Sequence, residues 1–129
     1  MSSDRFAVAR EQYNRALDRL HEVVVLDETD IIRDSMIQRF EFTYELGWKC
    51  MFYWLREQGE NVLEMQRPIL QAAFRCELIH DPKVWEEIKE QRDETSHTYN
   101  EAKAVSVAAF IRSHALAEFD ALRVKFNSL

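Results

Sequence analysis

Apolar residues recur at intervals of three and four along most of the chain, which is the spacing of α-helices that bury one face. The sequence contains only 2 Gly and 2 Pro, which leaves little of the turn chemistry that β-sheets need. These patterns predict an all-α protein. Ser2 or Ser3 can act as the N-cap of the first helix. The buried stripe predicted for this helix is Phe6, Ala9, Tyr13, Leu17, Leu20 and Val24.

The second predicted helix begins near Thr29 or Asp30 and ends at Gly59, a residue type that commonly follows the last helical turn. Its predicted inward stripe is Ile32, Met36, Phe40, Tyr44, Trp48, Met51 and Leu55. Further apolar residues lie partly off that face, namely Ile37, Phe42, Leu46, Phe52 and Trp54. The helix is therefore apolar around more of its circumference than a surface helix needs. Two interpretations stay open: a central helix that several others contact, or a surface for a partner.

Two shorter helices are predicted next. The first has Pro68 in its opening turn and carries Ile69, Ala73, Phe74 and Leu78. The second begins after Asp81 as N-cap, with Pro82 just inside, and continues through Trp85, Ile88 and Arg92. Its regularity is predicted to end between Thr95 and Tyr99, where β-branched and aromatic residues replace helix formers.

Asn100 is predicted to cap a long last helix. Positions at helical spacing along it are Val105, Ala109, Arg112, Leu116, Phe119, Leu122 and Phe126. Three long and two short helices predict an antiparallel up-and-down four-helix-type bundle with an extra short helix. Because no linker or repeat interrupts it, residues 1–129 are predicted to form a single domain. The side chains predicted to be largely buried are Phe40, Tyr44, Trp48, Phe74, Trp85 and Phe119.

The formal net charge of −6 argues against general coating of nucleic acid, because nonspecific phosphate binding depends on excess Lys and Arg. Any RNA contact should therefore lie on a local patch. The opening MSSDRF has no apolar signal region, no apolar run is long enough to span a membrane, and Cys50 and Cys76 lie within helical patterns. These features predict a reduced, soluble, cytoplasmic protein. No metal site is expected, since the Cys and His residues show no paired ligand spacing.

The stretch RDETSHTYNEA, which begins at residue 92, interrupts the helical pattern with polar, β-branched and aromatic residues. An Arg five residues before a His occurs twice in the chain, at Arg75 and His80 and again at Arg92 and His97. This spacing alone is weakly specific. Only His97 is followed two residues later by a tyrosine, Tyr99. One interpretation is purely structural: the hydroxyl residues end one helix, and Arg92 is merely solvated.

A chemical interpretation also fits these residue types. Metal-independent cleavage of RNA needs a base, an acid and positive charge at the phosphate, and it requires no cofactor. A histidine can act as acid or base near neutral pH, and an arginine offers paired donors to phosphate oxygens, which are the roles expected of His97 and Arg92. Positions five apart on an unbroken helix point roughly 140° apart, so the break is needed to bring the two together. A homodimer that pairs two such segments would supply a second His.

The same stretch, together with IQRFEFTYELGWK, RPILQAAF and VWEEI in this order, resembles the HEPN superfamily. The closer similarity, from about residue 31 to 103, is to the nucleotidyltransferase substrate-binding family that includes HepT-like toxins. It implies a dimeric HEPN-like helical bundle and, as partner, a minimal nucleotidyltransferase acting as an MntA-like antitoxin. In the toxin interpretation it implies that Arg92 and His97 cleave RNA. It further implies that Asp93, where many relatives have Asn, is a supporting residue, and that the partner modifies Tyr99 with AMP.

The older family name implies a different function. In that interpretation the chain is a non-catalytic subunit that binds a substrate for the nucleotidyltransferase. A third interpretation is a dimeric scaffold without either role. The interpretations differ on whether His97 does chemistry, which the sequence leaves open.

Overall fold

The computed structural model describes residues 4–129, so the predicted cap at Ser2 or Ser3 lies outside the described residues. The α-helices are α1 (Asp4–Val24), α2 (Asp30–Glu57), α3 (Gln66–Arg75), α4 (Pro82–Glu94), α5 (Glu101–Phe110) and α6 (Leu116–Asn127). A 3₁₀ turn, Thr95–His97, follows α4, and a π-helical turn, Ile111–Ala115, joins α5 to α6. Residues 4–129 contain no strand, which confirms the predicted all-α bundle. No helix within this range combines the length and apolarity that a membrane span requires.

Capping side chains start three of the helices at the predicted places. The side chains of Thr29, Asp81 and Asn100 each accept a hydrogen bond from the backbone N–H three residues further on, at 3.2, 3.2 and 3.3 Å. These bonds satisfy donors that have no partner within the first helical turn. At the other end of α2, Gly59 takes a φ of +84°, the left-handed conformation that favours glycine after a last turn.

The central position of α2 explains most of its surplus apolar surface. This helix packs against α1, α3, α4, α5 and α6. Ile37 is buried, and Leu46, Phe52 and Trp54 are half-buried against the core. Of the five residues off the predicted stripe, only Phe42 is largely exposed, at 55%. The central-helix interpretation therefore accounts for most of α2, and Phe42 is left as a surface feature.

An aromatic cluster fills the middle of the bundle. The Phe119 ring lies 5.9 Å from Phe40 and 5.8 Å from Trp85, measured between ring centroids. The Tyr13 hydroxyl donates a 2.7 Å hydrogen bond to the Phe119 carbonyl oxygen, so its polar end is satisfied although the side chain is fully buried. Five of the six predicted core side chains are buried, namely Phe40, Tyr44, Trp48, Trp85 and Phe119.

The prediction for Phe74 is wrong, because this side chain is 49% exposed. The buried face of α3 consists of Ile69, Ala72 and Ala73, and Phe74 lies one position beyond it. Small side chains allow α3 to approach the core closely, which a size-based choice of core residues overlooks. Phe74 instead lines a shallow groove between α3 and α4.

The residues noted at helical spacing along the last helix do not all face the core, because the first three lie on its exposed side. Val105, Ala109 and Arg112 are exposed, whereas the preceding residue is buried in each case: Ala104, Ala108 and Ile111. From Phe119 onward the predicted positions are buried. A π-helical turn holds more residues than an α-helical turn, so it offsets the faces before and after it by one position.

Gly47 in α2 is packed so closely that its replacement tests the aromatic cluster. A Cβ atom at this position would lie 3.1 Å from Cε1 of Tyr13, whose ring is confined by edge-on contacts with Phe119 and Phe126. We expect Gly47→Ala to lower the free energy of unfolding by about 1 kcal/mol, because overpacking outweighs the gain in helix propensity. Urea denaturation measures the change. A Gly47→Ala protein as stable as the wild type would show that the Tyr13 ring is free to move.

Candidate functional site

The break between α4 and α5 is made by three hydroxyl side chains. Thr95 Oγ1 donates to the Arg92 carbonyl at 2.6 Å, Ser96 Oγ to the Asp93 carbonyl at 3.0 Å, and Thr98 Oγ1 to the Thr95 carbonyl at 3.0 Å. Each hydroxyl thus bonds a carbonyl three residues back and competes with the backbone N–H groups that would continue the helix. The chain therefore leaves α4 in a tight turn and presents the residues around His97 at the surface.

Arg92, in the last turn of α4, is anchored to the central helix. Its Nε donates to Glu45 Oε1 at 3.2 Å and its Nη1 donates to Thr95 Oγ1 at 3.0 Å. Nη1 also lies 3.7 Å from Glu41 Oε2. Glu45 is itself held, because Trp48 Nε1 donates to its other carboxylate oxygen at 3.1 Å. Two of the three guanidinium nitrogens are thus fixed on side chains of α2 and the turn.

The third nitrogen, Nη2 of Arg92, has no hydrogen-bond partner within residues 4–129. The arginine side chain is 28% exposed, so part of it is accessible to solvent. An arginine held in this way can offer the remaining N–H groups to an anionic oxygen with little loss of side-chain entropy.

The surroundings of Arg92 are acidic. The buried Tyr44 hydroxyl reports on these charges. Burial raises its pKa, the nearby carboxylates of Glu45 and Asp93 raise it further, and the positive charge of Arg92 lowers it. Asp93 accepts a hydrogen bond from Lys89 Nζ at 3.2 Å, which offsets part of its charge. Any anion that approaches Arg92 must therefore compete with carboxylates that already hold it.

His97 and Tyr99 lie side by side on the surface. Their ring centroids are 6.2 Å apart and the ring planes meet at 76°, an edge-to-face contact. Tyr99 is 88% exposed, and no hydrogen bond to either ring is made from residues 4–129. Both polar ends are thus open to a ligand or a modifying enzyme.

The structure brings His97 and Tyr99 together, but it does not join His97 to Arg92 directly. The described residues include no hydrogen bond between the Arg92 guanidinium and the His97 ring. His97 influences Glu94 instead: the pKa of Glu94 is lowered by its hydrogen bond from Lys103, and the His97 charge contributes in the same direction. Any reaction that uses Arg92 and His97 on one phosphate needs the substrate, or a second protomer, to bridge them.

An open groove of about 560 Å³ lies between the turn that follows α4 and the central helix α2. Tyr99 and Thr98 form one side, and Glu41 and Phe42 lie on the other. Glu41 thus lines the groove and also faces Arg92 Nη1. Within the described part of the chain, no three His, Cys, Asp or Glu side chains are grouped closely enough to hold a metal ion.

Glu41 and Glu45 are the site residues that sequence reasoning missed. Together with Trp48 they recur at helical spacing, so the three lie along one side of α2. Carboxylates on a helix normally indicate a solvated face, and nothing local marked these two as partners of Arg92, which lies 47 positions from Glu45 in the sequence. These two carboxylates become recognisable as site residues only once the structure places Arg92 partly buried beside α2, because a guanidinium in that position requires acidic partners.

Comparison with known proteins identifies the family. Residues 9–128 match the family described as nucleotidyltransferase substrate binding protein like. The match covers nearly the whole chain, so the protein belongs to this family. The resemblance derived from the sequence is thereby confirmed.

Individual relatives agree with this assignment. The chain is 36% identical over 92 residues to a protein of Haemophilus influenzae named probable ribonuclease HepT. That match spans 65% of this chain and 63% of the relative, less than two thirds of the relative's length. A solved structure from Haemophilus influenzae is described as the fold of a substrate binding domain of a nucleotidyltransferase. It has a TM-score of 0.78 and 27% identity and covers 92% of this chain and 98% of its own.

A crystal structure from Thermus thermophilus is similar to the same degree. It has a TM-score of 0.76 and 28% identity, over 90% of this chain and 96% of its own. The two solved structures each match almost end to end. The helical bundle is therefore the common fold of these relatives and this chain.

Proposed function

We propose that this chain is the HepT-like component of a toxin–antitoxin pair that acts in the cytoplasm. In this proposal residues 1–129 form one HEPN-like domain and act as a metal-independent endoribonuclease. A partner nucleotidyltransferase, an MntA-like antitoxin, neutralises it by transferring AMP to Tyr99. The observation that carries the proposal is the pair of exposed rings of His97 and Tyr99 on the turn that follows Arg92, an arginine whose Nη2 has no partner within residues 4–129. The relative named probable ribonuclease HepT and the family description support it.

The cleavage chemistry follows from the residues at the break. His97 takes the proton of a ribose 2′-hydroxyl, and the resulting oxygen attacks the adjacent phosphorus. The bond from phosphorus to the 5′-oxygen of the next nucleotide breaks, the leaving oxygen receives a proton, and a 2′,3′-cyclic phosphate remains. Arg92 stabilises the charge that builds on the phosphate through Nη2, whose N–H groups have no partner within residues 4–129. Asp93 supports the site while Lys89 offsets its charge.

A homodimer completes this chemistry. One imidazole cannot remove the first proton and donate the second within a single step, so a second histidine is needed near the same phosphate. A two-fold arrangement that brings the break of each protomer to one cleft supplies it. Such a cleft also offers the Arg92 of one protomer and the His97 of the other to one RNA strand. Light scattering at micromolar concentration measures the oligomeric state.

Modification of Tyr99 would act on the same site. The phenolic oxygen attacks the α-phosphorus of ATP bound to the partner, pyrophosphate leaves, and the phenolic proton is released. Tyr99 is 88% exposed, so its hydroxyl can reach the partner's active site. The attached phosphodiester adds a negative charge close to His97, where it competes with the RNA phosphate for the free donors of Arg92.

A second candidate function is favoured by a different observation. Arg92 is already bound by Glu45 and lies near Glu41, so its charge is partly neutralised before any RNA arrives. This arrangement suits a non-catalytic subunit that binds a substrate for the nucleotidyltransferase. It predicts that His97 is dispensable for the function shared with the partner.

Replacement of His97 separates the two candidates. We expect His97→Ala to lower RNA cleavage by about a hundred-fold or more and to remove toxicity on expression without the partner, because a general acid or base is lost. The matched control is His80→Ala, since His80 is also exposed and also follows an arginine by five residues. Cleavage is measured in EDTA by the appearance of cyclic phosphate ends. Equal cleavage by wild type and His97→Ala would leave the substrate-binding candidate.

Replacement of Tyr99 tests the control by the partner. We expect incubation with the partner, ATP and magnesium to add AMP to the wild type and to silence its cleavage. Tyr99→Phe should keep its cleavage under the same conditions, because the acceptor oxygen is missing. Intact mass and RNA cleavage are measured together. Tyr53→Phe, which removes a tyrosine hydroxyl from α2 and not from the candidate site, is the control. Modification of Tyr99→Phe to the same extent as the wild type would assign the AMP to another residue.

A further inference from the structure

A second groove, between α1 and α2, carries an unusual concentration of arginine for this acidic chain. The groove has a volume of about 440 Å³ and is lined by Arg15, Arg19 and Arg39 together with Phe42 and Leu46. The chain as a whole carries a formal net charge of −6. Three arginines on one groove are therefore a local basic patch that the total charge conceals.

Arg15 and Arg19 are only weakly engaged within the protein. The Arg15 guanidinium pairs with Glu11 at 2.9 Å, and both side chains are about 70% exposed, namely 69% and 72%. Arg39 Nη1 donates to the Arg19 carbonyl at 2.7 Å and lies 3.5 Å from Glu22. Within residues 4–129 the Arg19 guanidinium has no hydrogen-bond or ion-pair partner. Exposed ion pairs contribute little to stability, so an arriving phosphate can replace Glu11 on Arg15 at small cost. Arg39 is more buried, at 25% exposed, and is held in place at the groove by the Arg19 carbonyl.

Phe42 connects this groove to the candidate site. Its side chain is 55% exposed and lines both the arginine groove and the groove that contains Tyr99. Proteins that bind single-stranded nucleic acid combine a basic groove, which contacts the phosphates, with exposed aromatic rings on which bases stack. Phe42 lies next to such a groove.

On the basis of the ribonuclease function proposed above, we infer that the arginine groove binds the single-stranded RNA next to the cleaved bond. Arg15, Arg19 and Arg39 contact its phosphates, and one base stacks on Phe42. The strand then continues past Phe42 into the groove lined by Thr98 and Tyr99. Most of the affinity thus comes from a surface outside the acidic surroundings of Arg92.

A second copy of the chain is a poorer occupant of this groove. In a two-fold interface the same patch lies on both partners. A two-fold axis through the groove would place the arginines of one copy opposite the same arginines of the other, and like charges placed together disfavour association. Single-stranded RNA has the complementary charge and the flat bases that the exposed Phe42 ring suits.

A binding experiment tests this inference independently of cleavage. The probe is a short, fluorescein-labelled 2′-O-methyl RNA of mixed sequence, which lacks the attacking hydroxyl and stays intact. Binding is followed by fluorescence anisotropy over a range of KCl concentrations for the wild type, Arg15→Gln, Arg19→Gln and Phe42→Leu. The matched control is Arg67→Gln, because Arg67 on α3 is 73% exposed and lies outside this groove.

Each groove arginine that contacts a phosphate should contribute about 0.7 to the slope of log affinity against log salt, which is about five-fold in affinity near 0.1 M salt. We therefore expect Arg15→Gln and Arg19→Gln to weaken binding by about that factor and to flatten the slope, whereas Arg67→Gln changes neither. Phe42→Leu should weaken binding by about ten-fold with an unchanged slope, because stacking is lost and no charge is removed.

The outcomes distinguish this inference from the proposed function. If RNA binding depends on the groove arginines but unmodified RNA is not cleaved, the inferred RNA-binding groove is supported and the proposed ribonuclease activity is refuted. If the wild type cleaves RNA but the groove variants bind the probe as Arg67→Gln does, the inferred RNA-binding groove is refuted and the ribonuclease proposal stands. No binding of the probe by the wild type overturns the inference. Dissociation of a dimer by Phe42→Leu in light scattering, with RNA binding unchanged, assigns this face to a protein interface and also overturns it.

Discussion

The hydrogen-bonded ion pair between Arg92 and Glu45 is the interaction on which the candidate site depends. It joins the last turn of α4 to the central helix α2 through an Nε to Oε1 distance of 3.2 Å. Trp48 holds the second oxygen of Glu45, so the carboxylate is fixed from both sides. A guanidinium placed this close to the core needs such partners, because an unpaired buried charge is costly. Within residues 4–129 no group pairs with Nη2, so this nitrogen stays available to a ligand.

The break after α4 sets the positions of His97 and Tyr99 relative to Arg92, because the turn that carries Arg92 is anchored to α2. The hydroxyl bonds of Thr95, Ser96 and Thr98 lie directly after the anchored turn of α4. The next helix, α5, begins after its cap Asn100, so His97 and Tyr99 lie at the surface between the two helices. The side chains of His97 and Tyr99 thus lie on a short irregular segment held at both ends by regular helices. A rigid scaffold with functional groups on its connecting turns is a common arrangement of binding and catalytic sites.

The sequence was sufficient for features that local interactions determine. Helix starts at Thr29, Asp81 and Asn100, the left-handed Gly59 and the break after α4 each depend on residues within one turn of each other. Features that depend on distant contacts were not predictable in the same way. The exposure of Phe74 follows from how α3 docks, and the face of α5 follows from a π-helical turn that the periodicity did not reveal. Glu41 and Glu45 can hold Arg92 only because α2 packs beside α4. In the same way, the arginines of α1 and α2 line one groove only because these two helices lie side by side.

The most direct test of the account is the environment of the Arg92 Nε–H group, observed by NMR in protein labelled with ¹⁵N-arginine and assigned through its absence in Arg92→Lys. The hydrogen bond to Glu45 predicts that this proton exchanges slowly with water in the free protein and exchanges faster in Glu45→Gln. Contact of Nη2 with a phosphate predicts that the resonance shifts when 2′-O-methyl RNA is added. A resonance that exchanges as fast as that of the exposed Arg67 and does not move with RNA would contradict the anchored arginine at the centre of the site.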